Sequence, residues 1–341
     1  MQANKFPAKQ AQYLFSFLLA IKELLVILKE VRLRVLVTGA SGFVGSELTP
    51  ALVRAGFDVR AASRRRTPVA EVPGIEWMKL PDLEYEVDWS PLLDGIEAVV
   101  HLAAIAHRTH ADIGQYTRVN CLAATNLVKA CAQRGIRRFV FVSSIGAQVG
   151  SAADYVVTEK HEPRPASAYD RAKLAAEEQV RATNVPFTIL RPVIVYGPKA
   201  RANIAAMMRI AMLPLPLPFA ALKNRRSLLS IDNLVEAIIF CLKNPATANR
   251  TFIVSDGDAI TLRDIIATLR GAAGRAPNMI WVPSGILKFV MLSLGRGRLW
   301  DRIGRDLVAS SEELQQIGWR PLVDTRAGLE AMMREFLSQT K

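Results

Sequence analysis

The sequence predicts an α/β protein: a doubly wound parallel sheet with a smaller C-terminal α/β unit. Three observations lead there. Short β-branched apolar runs, of the kind buried on both faces of a parallel sheet, alternate with amphipathic helical stretches through the N-terminal part of the chain. The first of these runs feeds a glycine-punctuated turn that opens a helix. Beyond Pro192 the rhythm breaks: Pro214, Pro216 and Pro218 interrupt any helix, and shorter elements follow.

The first run carries Leu33, Val35 and Val37, and the amphipathic stretch from Phe43 to Val53 ends at Arg54-Ala55-Gly56. Between them stand Gly39, Gly42 and Gly45, which let the chain turn sharply, let backbone approach a phosphate, and let helix pack close on strand. Such a turn offers backbone N–H groups and a positive helix end to a pyrophosphate, so dinucleotide binding is expected. Further strands are expected at 58–63, 75–80, 98–104, 138–143 and 187–190, with helices over 116–134 and 169–183. Later come 228–230, 233–242, 252–254 and 262–272. The boundaries are an N-terminal extension (1–30), a dinucleotide-binding unit (31–195) and a substrate-covering unit (196–341) that sends part of 226–260 back to the sheet. No internal repeat is visible.

Length and composition agree with a globular chain: 341 residues, half of them apolar, with no low-complexity tract. The net charge of +13 is dispersed apart from Arg64-Arg65-Arg66, and zinc-ligand spacing, a basic heptad region and RNA-binding aromatic motifs are all missing. A basic surface suited to anionic substrates or anionic lipid fits better than nucleic acid. Cys121, Cys131 and Cys241 lie in apolar helical patterns without a CxxC, and read as buried, reduced, cytoplasmic thiols. His107 and His110 share a helix face but have no third ligand near, so no metal site is expected.

The extension is apolar from Tyr13 to Leu28, but Lys22-Glu23 breaks the run well short of a membrane span. Ser16, Glu23 and Glu30 recur every seven residues, giving one narrow polar stripe, and no small-residue cleavage site follows. Three readings stay open: an interfacial anchor helix, a helix packed on a neighbour, or a chain whose true start is Val31.

Several motifs in order give the chain a resemblance. They are Thr38-Gly39-Ala40-Ser41-Gly42-Phe43-Val44-Gly45, Asp82-Leu83, His101-Leu102-Ala103-Ala104, Asn120, Ser143-Ser144, Tyr169-Asp170-Arg171-Ala172-Lys173 and Arg191-Pro192 through Tyr196-Gly197-Pro198. From about Val31 to the end, the chain resembles the extended short-chain dehydrogenase/reductase superfamily, in particular its NAD(P)-dependent nucleotide-sugar epimerases and dehydratases. The resemblance implies a Rossmann sheet and a catalytic set of Ser144 as orienter, Tyr169 as acid/base and Lys173 as its tuner and ribose ligand, with Ser143 the runner-up serine. The spacing of four makes chemical sense, because it puts Tyr169 and Lys173 on one helix face, where the ammonium can lower the phenol's pKa.

By the same resemblance the cofactor would meet Gly39, Ser41, Gly42, Phe43, Val44, Gly45, Ser63, Arg64, Asp82, Leu83, Leu102, Ala103, Ala104, Asn120, Tyr169, Lys173, Pro192 and Val195. Asn120 reads equally as a structural hydrogen-bonder. The substrate would meet Ser144, Tyr196, Asn203 and Arg226, the last suited to a diphosphate. The cofactor is NADP or NAD; Ser63-Arg64 stand where an acid would take the adenosine ribose, which favours NADP. Dehydratases of the superfamily place an Asp-Glu pair after the serine, and here Ile145-Gly146 occupy those positions, so water elimination lacks its acid and base.

Near the C-terminus, Trp281 to Leu294 is apolar and Arg296, Arg298, Arg302 and Arg305 follow. Membrane contact is one reading; a helix packed on its own core is preferred. The expectation is a cytoplasmic 4-epimerase of a UDP-linked sugar in polysaccharide or glycan precursor synthesis, a homodimer by family habit, possible also at the inner membrane face. The rivals are an NADPH-dependent 4-keto-sugar reductase and a non-catalytic NADP-binding scaffold or sensor.

Overall fold

A computed structural model describes residues 32–64, 73–106, 113–200, 203–297, 300 and 304–339. The extension (1–30), Arg65, Arg66, His107, His110, Arg298 and Arg302 lie outside the described residues.

Seven parallel strands form the central sheet: β1 (Arg34–Thr38), β2 (Asp58–Ser63), β3 (Ile75–Lys79), β4 (Ala98–His101), β5 (Arg138–Val142), β6 (Phe187–Pro192) and β7 (Arg250–Val254), in the order β7-β6-β5-β4-β1-β2-β3. The order reverses between β1 and β4, so the connections after them leave to opposite faces and open a crevice at the strands' C-terminal ends. Register brings those ends level: Thr38 pairs with Ala62 on one side and with His101 on the other, and Val142 pairs with Leu190. The central strands β1, β4, β5 and β6 are buried almost throughout because both faces are covered, whereas the edge strand β3 is partly exposed.

One face is covered by α1 (Phe43–Arg54), whose Leu48 and Leu52 share a core with Leu234 and Ile238 from the helix Ile231–Lys243. The other is covered by α2 (Ala123–Gln133) and α3 (Ala168–Arg181), which bury Leu127, Val128, Ala176 and Val180. Beyond the sheet, α4 (Leu262–Ala272), α5 (Ser284–Ser293) and α6 (Thr325–Gln339) belong to the smaller part of the chain. It has its own apolar clusters, one around Ile204, Met208, Ile265, Leu269 and Met332 and one around Leu217, Leu222, Leu262, Ile266 and Trp300. Arg250–Val254 comes back from this part to pair with β6, so the chain crosses between the two units more than once.

Two readings of helices are corrected. The segment 116–134 is not one α-helix: a π-helix, Thr117–Leu122, separates Ile113–Tyr116 from α2. The wider turn carries Asn120 against the loop after β4, where its amide binds the backbone of Ile105. Nor does α5 pack as a core helix: none of its residues is buried, and only Leu287 and Met291 lean on the small cluster. Among the described residues no helix is long and apolar enough to cross a membrane. Cys121, Cys131 and Cys241 are free and buried.

Candidate functional site

The crevice begins at the glycine turn. Gly39 and Ala40 donate to the carbonyl of Ala62 at 2.9 and 3.1 Å, which ties the turn to the end of β2. Gly39 has φ +74°, and a Cβ there would lie 2.9 Å from the backbone nitrogen of Ala103. A Cβ on Gly45 would come within 2.4 Å of the Gly39 carbonyl oxygen, so α1 can only start this close to the strand without a side chain there. Ser41 and Gly42 are exposed at the mouth of the turn, and Phe43 and Val44 begin the helix half-buried. This is a backbone cradle at a helix N-terminus that any Cβ would fill, and it fits a dinucleotide's pyrophosphate.

The surrounding residues line up along the same edge. Arg64 is exposed, two positions past the carbonyl that anchors the turn, while Ser63 is buried. Asp82 is exposed and caps the turn Asp82-Leu83-Glu84 by accepting from the Glu84 N–H at 3.1 Å, and Leu83 is buried. Leu102 donates to the Thr38 carbonyl at 3.2 Å, with Ala103 buried and Ala104 exposed beyond it. Pro192 ends β6 and Val195 is half-buried in the short strand Ile194–Tyr196.

Asn120 does not offer its amide to the crevice. It accepts from the N–H of Ile105 and donates to its carbonyl, each at 2.8 Å, and so clamps the loop that follows Ala104. The role the structure gives it is positioning.

The candidate catalytic residues stand at the end of β5 and along the first turns of α3. Ser167 and Asp170 form a capping box that fixes the start of α3, with Tyr169 as its second residue. Ser144 caps the next short helix by accepting from Gly146 N–H at 3.0 Å, and its hydroxyl is hydrogen-bonded to the Tyr169 phenol. Ser143 points the other way, donating to Glu177 at 2.6 Å in the core, which separates the roles of the two adjacent serines. Ile145-Gly146 leave no room for an acidic pair, because a Cβ on Gly146 would lie 2.0 Å from the Asp170 carboxylate.

Lys173 is buried, donates to the Val142 carbonyl at 2.7 Å and lies 4.3 Å over the Phe141 ring. Burial pulls its pKa down to about 8, against the charge of Glu177, which supports the ammonium. One expectation fails here. In the chain by itself Lys173 does not lower the Tyr169 phenol: burial, then the Asp170 charge, push it up to about 12, and only the Ser144 hydrogen bond acts downward. With its own pKa near 8, Lys173 is already neutral where such a phenol would ionise, so it supplies no charge to lower it. Beneath them His101 shares a 2.7 Å hydrogen bond with Thr38 and stacks on Phe141. Burial and the Lys173 charge hold its pKa down to about 3, so it is a neutral floor to the site.

Of the residues expected at the substrate, Ser144 is at the crevice and Tyr196 is not. Tyr196 is 1 % exposed, its ring stacked under Gly328 and its hydroxyl donating to the Thr325 carbonyl at 3.3 Å, which makes it an anchor between the two units. Arg226 is buried, donating to the carbonyls of Arg305 and Ser151 at 3.0 Å each. Its guanidinium braces two loops. Asn203 opens the helix Asn203–Ala211, and its side chain lies outside the described residues.

Sequence reasoning missed the support behind this group. Glu177 is 0 % exposed, and accepts from Ser143, from Arg181 at 2.7 Å and from Arg191 at 3.0 Å. Arg191 also reaches Gln148. The signal was available: Glu177 follows Lys173 by four, as Lys173 follows Tyr169, so all three share one face of α3.

The chain is similar to known proteins in both sequence and fold. The profile of the NAD dependent epimerase/dehydratase family matches residues 35–255. A UDP-glucose 4-epimerase of Vibrio cholerae is 32 % identical over 319 residues, 89 % of this chain and 95 % of that one. An N-acetyl-alpha-D-glucosaminyl-diphospho-ditrans,octacis-undecaprenol 4-epimerase of Escherichia coli O157:H7 is 25 % identical over 74 % of this chain and 77 % of its own. The structure of MoeE5 in complex with UDP-glucuronic acid and NAD covers 90 % of this chain and 100 % of its own, with 26 % identity and a TM-score of 0.71.

The Lys173 environment makes a testable prediction with a definite sign. Its folded pKa, about 8, lies below that of an unfolded lysine, so its burial costs stability at neutral pH. That cost fades as pH rises from about 8 toward the unfolded value near 10.4. Lys173→Met should lose turnover by at least about a hundredfold while unfolding in urea at pH 7 no earlier than the parent. Between pH 8 and 10 the parent should gain stability relative to the variant. A variant that turns over normally, or a stability difference that moves the other way with pH, contradicts this.

Proposed function

This chain belongs to the NAD dependent epimerase/dehydratase family, and we propose that it is an NAD(P)-dependent 4-epimerase of UDP-linked hexoses serving polysaccharide or glycan precursor synthesis on the cytoplasmic side of the membrane. The observation that carries the reading is Ser144 hydrogen-bonded to Tyr169, with Lys173 one turn along the same helix, at the edge of a sheet whose first strand ends in a glycine cradle. The Vibrio cholerae relative, matched over nearly its whole length, supports the same substrate class.

In this proposal Tyr169 takes the proton of the sugar's C4 hydroxyl, and Ser144, already hydrogen-bonded to the phenol, orients that oxygen. When bound, the oxidised nicotinamide supplies a positive charge and a place for the C4 hydride. The phenol, pushed up to about 12 in the chain alone, needs such a cation beside it to act as a base near neutrality. Lys173 would hold the cofactor's ribose, and the Asn120 clamp keeps the loop after β4 in place. Tyr169 returns its proton once the keto sugar has presented its other face.

A one-way 4-keto-sugar reductase is the second reading, favoured by Arg64 in place of an acid at the adenosine end. A panel of UDP-hexoses, their 4-keto-6-deoxy relatives and a lipid-diphosphate sugar, followed by proton NMR with and without NADPH, separates the two. The proposal expects interconversion of C4 epimers without net cofactor consumption, lowered at least about a hundredfold in Tyr169→Phe. Stoichiometric NADPH oxidation, seen only with keto sugars, establishes the reductase instead. An inert panel with tight NADP binding supports the scaffold reading.

Cofactor choice is tested separately. We expect NADP to be favoured through Arg64, and Arg64→Asp to weaken NADP about tenfold or more while NAD is held or improved, because a 2′-phosphate would lose its cation and meet a like charge. Paired titrations read this directly; an unchanged preference means that Arg64 does not meet the phosphate.

A further inference from the structure

Nine of the fifteen large apolar side chains exposed among the described residues lie on α5 and the two loops beside it. These surfaces are fastened together. Leu217 donates to the Asn278 carbonyl and accepts from Ile280, each at 3.0 Å, so the proline-rich loop runs alongside 278–280. The buried Arg270 guanidinium holds the carbonyls of Leu213, Leu215 and Ala276 at 3.3, 3.2 and 3.0 Å. The α5 helix rests on the same small cluster through Leu287 and Met291 and turns the rest of its apolar surface outward. Trp281 is 72 % exposed and Phe289 71 %, with Leu215, Ile286, Leu292 and Leu294 around them.

The segments that form this face carry charge of one sign. Between Asp264 and Asp301 the chain has no acidic residue, and its charges are Arg270, Arg275, Lys288, Arg296 and Arg298. The adjoining loop is likewise free of acids, since no Asp or Glu stands between Glu178 and Asp232. Lys288 and Arg296 are exposed beside the apolar side chains. A second copy meeting this face about a two-fold axis would bring these cations against their own images. The extension 1–30 is itself net basic, with Lys5, Lys9, Lys22 and Lys29 against Glu23 and Glu30, and so is a poor electrostatic match as well. An apolar face that carries an exposed tryptophan, on segments whose own charges are all cationic, matches the interface of an anionic bilayer.

We propose that α5 and the 213–217 and 278–283 loops form a peripheral docking surface for anionic lipid bilayers. Trp281 and Phe289 enter the acyl boundary, and Lys288 and Arg296 meet the headgroups. The surface lies on the smaller part of the chain and uses none of the residues of the crevice.

The test uses the full chain and vesicles of phosphatidylcholine alone or mixed with phosphatidylglycerol, their acyl chains brominated to quench tryptophan at that depth. Of the five tryptophans, Trp281 is the exposed one; Trp89, Trp300 and Trp319 are buried and Trp77 partly so. The expected result is quenching that requires phosphatidylglycerol, weakens with salt and disappears in Trp281→Phe. Phe289→Glu should lower partitioning about tenfold or more with an unchanged NAD or NADP titration. Emission unaffected by phosphatidylglycerol vesicles overturns the proposal. So does vesicle binding that survives both substitutions, which would point to residues 1–30, or a change in oligomeric state in Phe289→Glu without any vesicle binding by the parent, which would point to a second copy. If Phe289→Glu fails to fold, the Trp281→Phe quenching result decides alone.

Discussion

The site depends on one buried carboxylate. Glu177 sits inside the protein between α3 and β6, fully removed from water, and is tolerable there because two arginines and a serine hydroxyl surround it. A lone charge in such a place would carry a desolvation penalty of several kcal/mol, and losing one partner of a buried pair typically costs about 3–5 kcal/mol. The contacts that meet this cost also set geometry. Arg191 locks the end of β6 to α3, Ser143 locks the end of β5, and Gln148 joins the short helix after Ser144 through Arg191. Lys173 is therefore about one helical turn from a fixed ionic centre and Tyr169 about two, and Ser144 follows Ser143 at the end of β5.

The same dryness sets the electrostatics above that centre. Burial lowers Lys173 and raises Tyr169, the two directions that disfavour charge. His101 is driven neutral by the same burial and by the Lys173 charge. The resting site is thus poised with a neutral phenol, and a cation arriving at the crevice would have large leverage in so low a dielectric. Burial of Lys173 costs stability at neutral pH, and the capping box at Ser167 and Asp170 offsets part of it.

Much of this was legible in the residues. The alternation of apolar runs and helical stretches gave the sheet, because a strand covered on both faces has no polar alternation to confuse the pattern. The glycine turn was legible because Gly39 and Gly45 are required by a left-handed φ and a close approach that no other residue tolerates. What stayed hidden depends on partners distant in sequence. Tyr196 turns inward because Gly328, far along the chain, leaves room for its ring. Arg226 is taken by carbonyls of Ser151 and Arg305, and Asn120 by Ile105. A motif shows the side chain's chemistry, but the fold decides whether it faces the ligand or a neighbouring backbone. The pKa of Tyr169 is hidden for a similar reason, since spacing reveals the lysine but not the burial that lowers that lysine and raises the phenol.

The central claim is that C4 is oxidised transiently and the same hydrogen returns to it. Proton and deuterium NMR of a UDP-hexose deuterated at C4, incubated with the enzyme in unlabelled water, tests this most directly. The account predicts that the C4 epimer forms with its deuterium retained at C4. Epimer formed with the label lost to water, or label found in released NADPH, would contradict it.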